Sequence, residues 1–126
     1  MAAQNNPGRQ ADIRHAVTIV AQADGSRNRF VAYDGTYATS AGGVKDMQGA
    51  SQTDALTGQA LALTTGYSAI VEASAAIAFG AYIKPAADGS GRAAVGTIGD
   101  HCGRALGAVG AAGQMLEVKL CQHVHA

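Results

Sequence analysis

The sequence predicts an all-β fold, a small barrel or sandwich, and three observations carry that prediction. Short β-branched or apolar runs recur along the chain, among them Val17-Thr18-Ile19-Val20 and Arg29-Phe30-Val31-Ala32-Tyr33. Turn formers such as Asp34-Gly35 and Asp88-Gly89-Ser90-Gly91 separate them at intervals of about ten residues. Near the C-terminus, Gln114 to Cys121 alternates strictly: Leu116, Val118 and Leu120 on one face, Met115, Glu117, Lys119 and Cys121 on the other. That period of two is the mark of a half-buried strand.

Taken in order, residues 1–12 come first. They are polar, with Asn5, Asn6, Pro7, Gly8, Arg9 and Gln10 in a row and no apolar period. They read as a flexible N-terminal arm ahead of a single β-rich domain at 13–126. A chain of 126 residues suits one domain. Val17–Val20 is the first strand, and Ala23-Asp24-Gly25-Ser26 turns the chain. Arg29–Tyr33 is the second, closed by Asp34-Gly35, a pair that favours positive φ. Residues 36–41 read as a short strand leading into Gly42-Gly43, and 44–57 as mostly loop. Gln59–Thr65 and Tyr67–Ala73 read as a hairpin through Thr65-Gly66, with Ala60, Leu61 and Leu63 opposite Tyr67, Ile70 and Val71. Phe79–Lys84 is a strand ended by Pro85, and Arg92–Val95 pairs back to it across the Asp-Gly turn. Gly103–Gly107 and Gln114–Cys121 complete the set. Helix is expected at most as a short turn near Ser51–Asp54. The alanines of 101–113 are interrupted by Gly103, Gly107, Gly110 and Gly113, each costing a helix about 1 kcal/mol.

Composition narrows the function classes. Formal net charge is zero, from nine basic and nine acidic residues. A nucleic-acid binder would present a basic face, so none is expected. Charged residues make up only 14% of the chain. That suits a surface covered by identical subunits or a larger assembly better than a free monomer. With no Trp and 5% aromatics, the chain has little with which to line a small-molecule pocket, and no substrate is expected. No apolar run is long enough to cross a bilayer as a helix. The N-terminus lacks the apolar core of a secretory signal, so export is not expected and Cys102 and Cys121 are expected as thiols.

Candidate chemistry is confined to a few side chains. His101-Cys102 and Cys121-x-His123-x-His125 supply five residues of zinc-binding type, but not at the spacing of a zinc finger. If the last strand continues to 125, Cys121, His123 and His125 share a face, which leaves a metal reading open; adventitious binding is the plainer one. Adjacent His101 and Cys102 are poorly placed to orient one another as a nucleophile pair. Asp24, Asp34, Asp46, Asp54, Asp88 and Asp100 lie by glycines or in loops, where turn formation accounts for them. The Gly-rich stretches lack the Lys-Ser/Thr of a phosphate loop. No catalytic residue, cofactor or metal is assigned, and the chain is not expected to be an enzyme.

The segment GQALALTTGYSAIVEASAAIAFGAYIKPAADGSGRAAVG, followed by GRALGAVGAAGQMLEVKL, resembles phage capsid decoration proteins, also called cement or head-stabilising proteins. Ala76-Ile77-Ala78-Phe79-Gly80-Ala81-Tyr82-Ile83, Gly103–Gly107 and Gly113–Leu120 carry the likeness, which spans residues 58–120. The resemblance implies a β-tulip-like or related barrel, and a homotrimer bound to the major capsid protein on the outer surface of a tailed-phage head. Such a protein is made in the host cytoplasm and ends up in the virion, where it stabilises contacts between capsomers. It further implies that the N-terminal arm orders against the capsid, with Asn5, Asn6, Pro7, Arg9 and Arg14 as contact residues. The rival readings are a small metal-binding β-barrel module using the His/Cys clusters, and another virion part such as a head fibre base or a tail component.

Overall fold

The computed structural model describes residues 15–125. The arm at 1–12 and all five proposed contact residues lie outside them. Within them the fold is all-β, a small barrel-like domain of nine strands with a single 3-10 turn at Gly43–Lys45 and no α-helix. In chain order the strands are β1 (Ala16–Val20), β2 (Phe30–Ala32), β3 (Met47–Ser51), β4 (Ala60–Thr64), β5 (Ser68–Glu72), β6 (Tyr82–Pro85), β7 (Ala93–Val95), β8 (Asp100–Ala105) and β9 (Met115–His125). They form two antiparallel sheets, ordered β1-β4-β3-β2 and β5-β9-β8-β6-β7.

The sheets share a core. Phe30 and Ala50 of the first meet Val71, Ile83, Leu116 and Val118 of the second, all buried. A smaller cluster on the other face of the first sheet packs Val31, Leu61 and Leu63 against Ala21 and Ala55. Because Leu61 and Leu63 alternate with Ala60 and Ala62, β4 turns its large side chains into that second cluster and its small ones away.

Several expectations are corrected by long-range pairing. β4 and β5 do not form a hairpin. β4 lies between β1 and β3, while β5 pairs with β9 in the other sheet, Ala69 opposite Val118 and Val71 opposite Leu116. The link at Thr65–Tyr67, with Tyr67 at φ 58°, hands the chain from one sheet to the other. Residues 44–57 are not mostly loop. Met47–Ser51 is a central strand whose small residues gave no β-branched signal, and burial between β2 and β4 holds it extended. Residues 36–41 contribute only a bridge between Tyr37 and Val31. Phe79 precedes β6, in a bend at Gly80 (φ 81°), and Pro85 ends β6 opposite Ala93. That position carries no ladder donor, since the adjacent pair bonds through the Ala86 amide and the Arg92 carbonyl.

Neighbouring strands approach so closely that two ladder positions admit no side chain. A Cβ at Gly49 would sit 2.7 Å from the Thr64 carbonyl oxygen, and one at Gly103 would collide with the Lys119 carbonyl and Val118. At Gly110 a Cβ would meet nothing within 4 Å. Gly103→Ala is therefore expected to destabilise by about 1–3 kcal/mol, the usual range for overpacking, and to lower Tm by several degrees. Gly110→Ala is expected to leave Tm unchanged within about 1 °C. Thermal unfolding of the two variants side by side checks this.

Candidate functional site

β9 brings the C-terminal histidines together, though not with the partners that period-2 alternation suggests. Leu116, Val118 and Leu120 are buried as expected, but Cys121 and Gln122 are both exposed and His123 is buried. The β8–β9 register shifts here: Gly103 opposes Leu120, whereas His101 opposes Val124. The irregularity turns His123 inward and takes Cys121 off its face. The expected shared face of Cys121, His123 and His125 is thus broken.

What assembles instead is a stack of two imidazoles between two carboxylates. The rings of His123 and His125 lie 4.4 Å apart at 25°. On one side, His125 Nε2 donates to Asp46 Oδ1 at 2.5 Å. On the other, Asp100 Oδ1 lies 3.3 Å from His123 Nε2 and 3.6 Å from His125 Nδ1. Lys84 Nζ approaches the second oxygen of Asp100 at 3.6 Å. Asp46 and Asp100, read from the sequence as turn formers, are the missed members of this cluster. Their partners lie 79 and 23 residues away, beyond any local signal. Asp34 and Asp88 do serve turns, holding Thr36 and Ser90, whereas Asp24 and Asp54 tie distant loops together through Thr57 and the Arg27 amide.

Candidate ligand atoms of Asp46, His123 and His125 lie within 4.8 Å of one another. Their hydrogen bonding decides how they can be used. The Met47 amide donates to His123 Nδ1 at 3.0 Å. That nitrogen is therefore unprotonated and its lone pair is occupied. The proton sits on Nε2, which donates to Asp100. A cation beside Asp46 would find one carboxylate oxygen and His125 Nε2, short of the three or four protein ligands of a zinc site. His123 is thus a clamp tying β9 to β3 of the other sheet. Its side chain is 1% exposed, and burial holds its pKa below the usual 6.5 against the opposing pull of Asp100 and Asp46.

The remaining sequence candidates are dispersed. His101 Nδ1 lies 3.1 Å from the Thr97 carbonyl, and its ring packs on Tyr82. Cys102 is buried, and burial pushes its thiol pKa well up, which favours the unreactive protonated form. Cys121 is exposed and also free. Arg29 and Arg92 both turn onto Glu72, at 3.4 and 3.6 Å. A depression of about 380 Å³ between the 24–26 and 54–59 loops holds Asp24, Asp54 and Tyr37. All three are already bonded within the fold, the tyrosine hydroxyl to the Ser26 amide.

No protein-family model matches the chain, and no curated protein matches it. Among solved structures, the fold is similar to that of the head fiber gp8.5 N base in bacteriophage phi29, with a TM-score of 0.63 at 14% identity. The similarity covers 88% of this chain and 98% of that one. It shows that the two share a fold.

The His123 clamp makes stability depend on pH. Its folded-state pKa is depressed, so the unfolded chain takes up the proton first as pH falls. The stabilisation is fully present above about 6.5 and is lost as pH drops through the lowered folded value. Asp46, Asp100 and His125 face the ring. Urea midpoints measured from pH 7.5 to 5 are expected to fall for the wild type. They are expected to fall less for His123→Gln, which keeps an acceptor for the Met47 amide without a titrating proton. His123→Ala, which leaves that amide unpaired, is expected to cost about 1–3 kcal/mol at neutral pH.

Proposed function

We propose that this chain is a non-enzymatic structural component of a phage virion, bound at the outer surface of the head. The observation that carries the reading is the fold it shares with a phage head fibre base across nearly the whole of both chains. The sequence likeness to capsid decoration proteins supports the same reading from independent features. So does a chain poor in charge, at 14% of its residues, which suits burial in an assembly.

In this proposal the folded domain is a rigid body and the mechanism is mechanical. Contact with the major capsid protein is made in part by Asn5, Asn6, Pro7, Arg9 and Arg14. Copies joined as a trimer engage the shell together, so weak individual contacts add through effective concentration. Each bound assembly then bridges neighbouring capsomers and resists their separation. The fold likeness also favours a second reading, in which the chain is the base of a head fibre and displays further protein outward.

Co-sedimentation with tail-less heads of the phage that encodes the chain tests the proposal. Saturable binding to heads, with a raised temperature of head rupture, is the expected result. Binding with no change in rupture temperature favours the fibre-base reading. Failure to bind heads, or binding to tails instead, overturns both. The double variant Arg9→Ala/Arg14→Ala is expected to bind heads about 5- to 30-fold more weakly, as the loss of two charged contacts at about 0.5–1 kcal/mol each implies, with Tm unchanged.

A further inference from the structure

The two sheets have four outer edges, and they are treated differently. On β2, the residues facing outward are Phe30 and Ala32. The Phe30 amide donates to Gly91, its carbonyl accepts from Ala38, and the Ala32 amide donates to Thr36. On β5, the Glu72 amide donates to Asn28. On β7, the Ala93 carbonyl accepts from the amide and hydroxyl of Ser74. Loops of the same chain thus cover these three edges in whole or part.

β1 is the exception. His15, Val17, Ile19 and Ala21 face β4 in the ladder, as the Thr65-to-His15 and Ala21-to-Gln59 bonds fix. Ala16, Thr18 and Val20 therefore direct their backbone groups outward. Among the described residues the cover on them is a single 3.3 Å bond from the Gln22 side chain to the Val20 carbonyl. Ala16, Val17, Thr18 and Val20 are exposed, while Ile19 is half-buried against the second cluster. The devices that block edge-to-edge pairing are absent: β1 has no charge, no proline and no bulge. Beside it, exposed Val17 and Tyr33 line a groove of about 490 Å³ with no charged residue on its walls.

We infer that the β1 edge is a pairing surface for a second copy of this chain, antiparallel about a two-fold axis through Thr18. A row of outward amides and carbonyls recognises another extended backbone. Among the described residues, β1 is the edge whose outward groups meet no backbone group of another segment, and a second copy presents the same edge. The register sets Ala16 opposite Val20 of the second copy, Val17 opposite Ile19 and Thr18 opposite Thr18. No like charges meet, and a net charge of zero leaves no long-range repulsion between copies. The inference goes beyond the virion reading, and its test is separate from head binding.

Native mass spectrometry of the full chain reads the subunit number. A two-fold contact gives an even count: two, or six if it joins rings of three. Thr18→Pro is expected to halve the assembly mass while keeping the wild-type far-UV circular dichroism spectrum, because the Thr18 amide takes no part in the β1–β4 ladder and proline is tolerated on such an edge. Thr18→Lys and Thr18→Glu are each expected to halve it too, by setting like charges across the axis. Mixing the two is expected to restore the even count as Lys/Glu pairs, a rescue that mere loss of folding would not show. A wild-type count of one or three overturns the inference. So does an assembly whose mass all three variants leave unchanged.

Discussion

Backbone proximity is the constraint on which the rest of this fold depends. Seven of the sixteen residues in the larger described core cluster are alanine, each contributing one methyl group. Side chains that short fill space only if the strands carrying them come close. Glycine then becomes obligatory where one strand lies over a neighbour's carbonyl, as Gly103 lies over Lys119 and Gly49 over Thr64. The few larger core residues, Phe30, Leu63, Ile83 and Val118, are fully buried because there are so few to share the interior.

A core with so little apolar volume places more weight on polar ties between the sheets. Two are evident. The His123 ring accepts from the Met47 amide and donates to Asp100, joining β9 to β3 and β8 with one neutral side chain. Arg29, just before β2, reaches both the Ser90 carbonyl and Glu72 of β5, and Arg92 meets the same carboxylate. The two differ in kind. The histidine tie is buried and works only in the neutral form. The Glu72 cluster is partly exposed and screened, so it steers the packing of Arg29 more than it stabilises the fold.

The parts of this fold legible in the sequence were those whose cause is local. Val17–Val20 is β-branched, Asp88–Gly91 is a turn by composition, and the Leu116/Val118/Leu120 alternation is written in three residues. β6 and β7 were readable as a pair because the turn between them is short. β3 was not, since Met47-Gln48-Gly49-Ala50-Ser51 has no strand propensity and is extended only because Phe30, Val31 and Thr64 flank it. The supposed β4–β5 hairpin failed for a related reason. Proximity in sequence lost to the better apolar match that β9 offers Ala69 and Val71. At the histidine cluster, residue type pointed to His123 and His125, but the register shift near Cys121 and the distant Asp46 set the actual arrangement. No period-2 argument crosses a bulge, because parity is what a bulge changes.

The same economy bears on how the molecule presents itself. A domain with a small core and few charges has little to spend on keeping other chains away. Even so, three of its four sheet edges are met by loops of the chain, which places Gly91, Asn28 and Ser74 where they satisfy backbone groups that would otherwise invite pairing. Those loops are rich in glycine, serine and alanine, and nothing in such a composition prevents a similar loop from reaching β1. That a β-branched, uncharged strand is left nearly bare among the described residues, where the other edges meet backbone groups of loops, is the asymmetry that separates this surface from ordinary exposure. In an isolated protein it would be an aggregation hazard. A two-fold pairing would close that hazard, because each copy's open edge is used up by the other's.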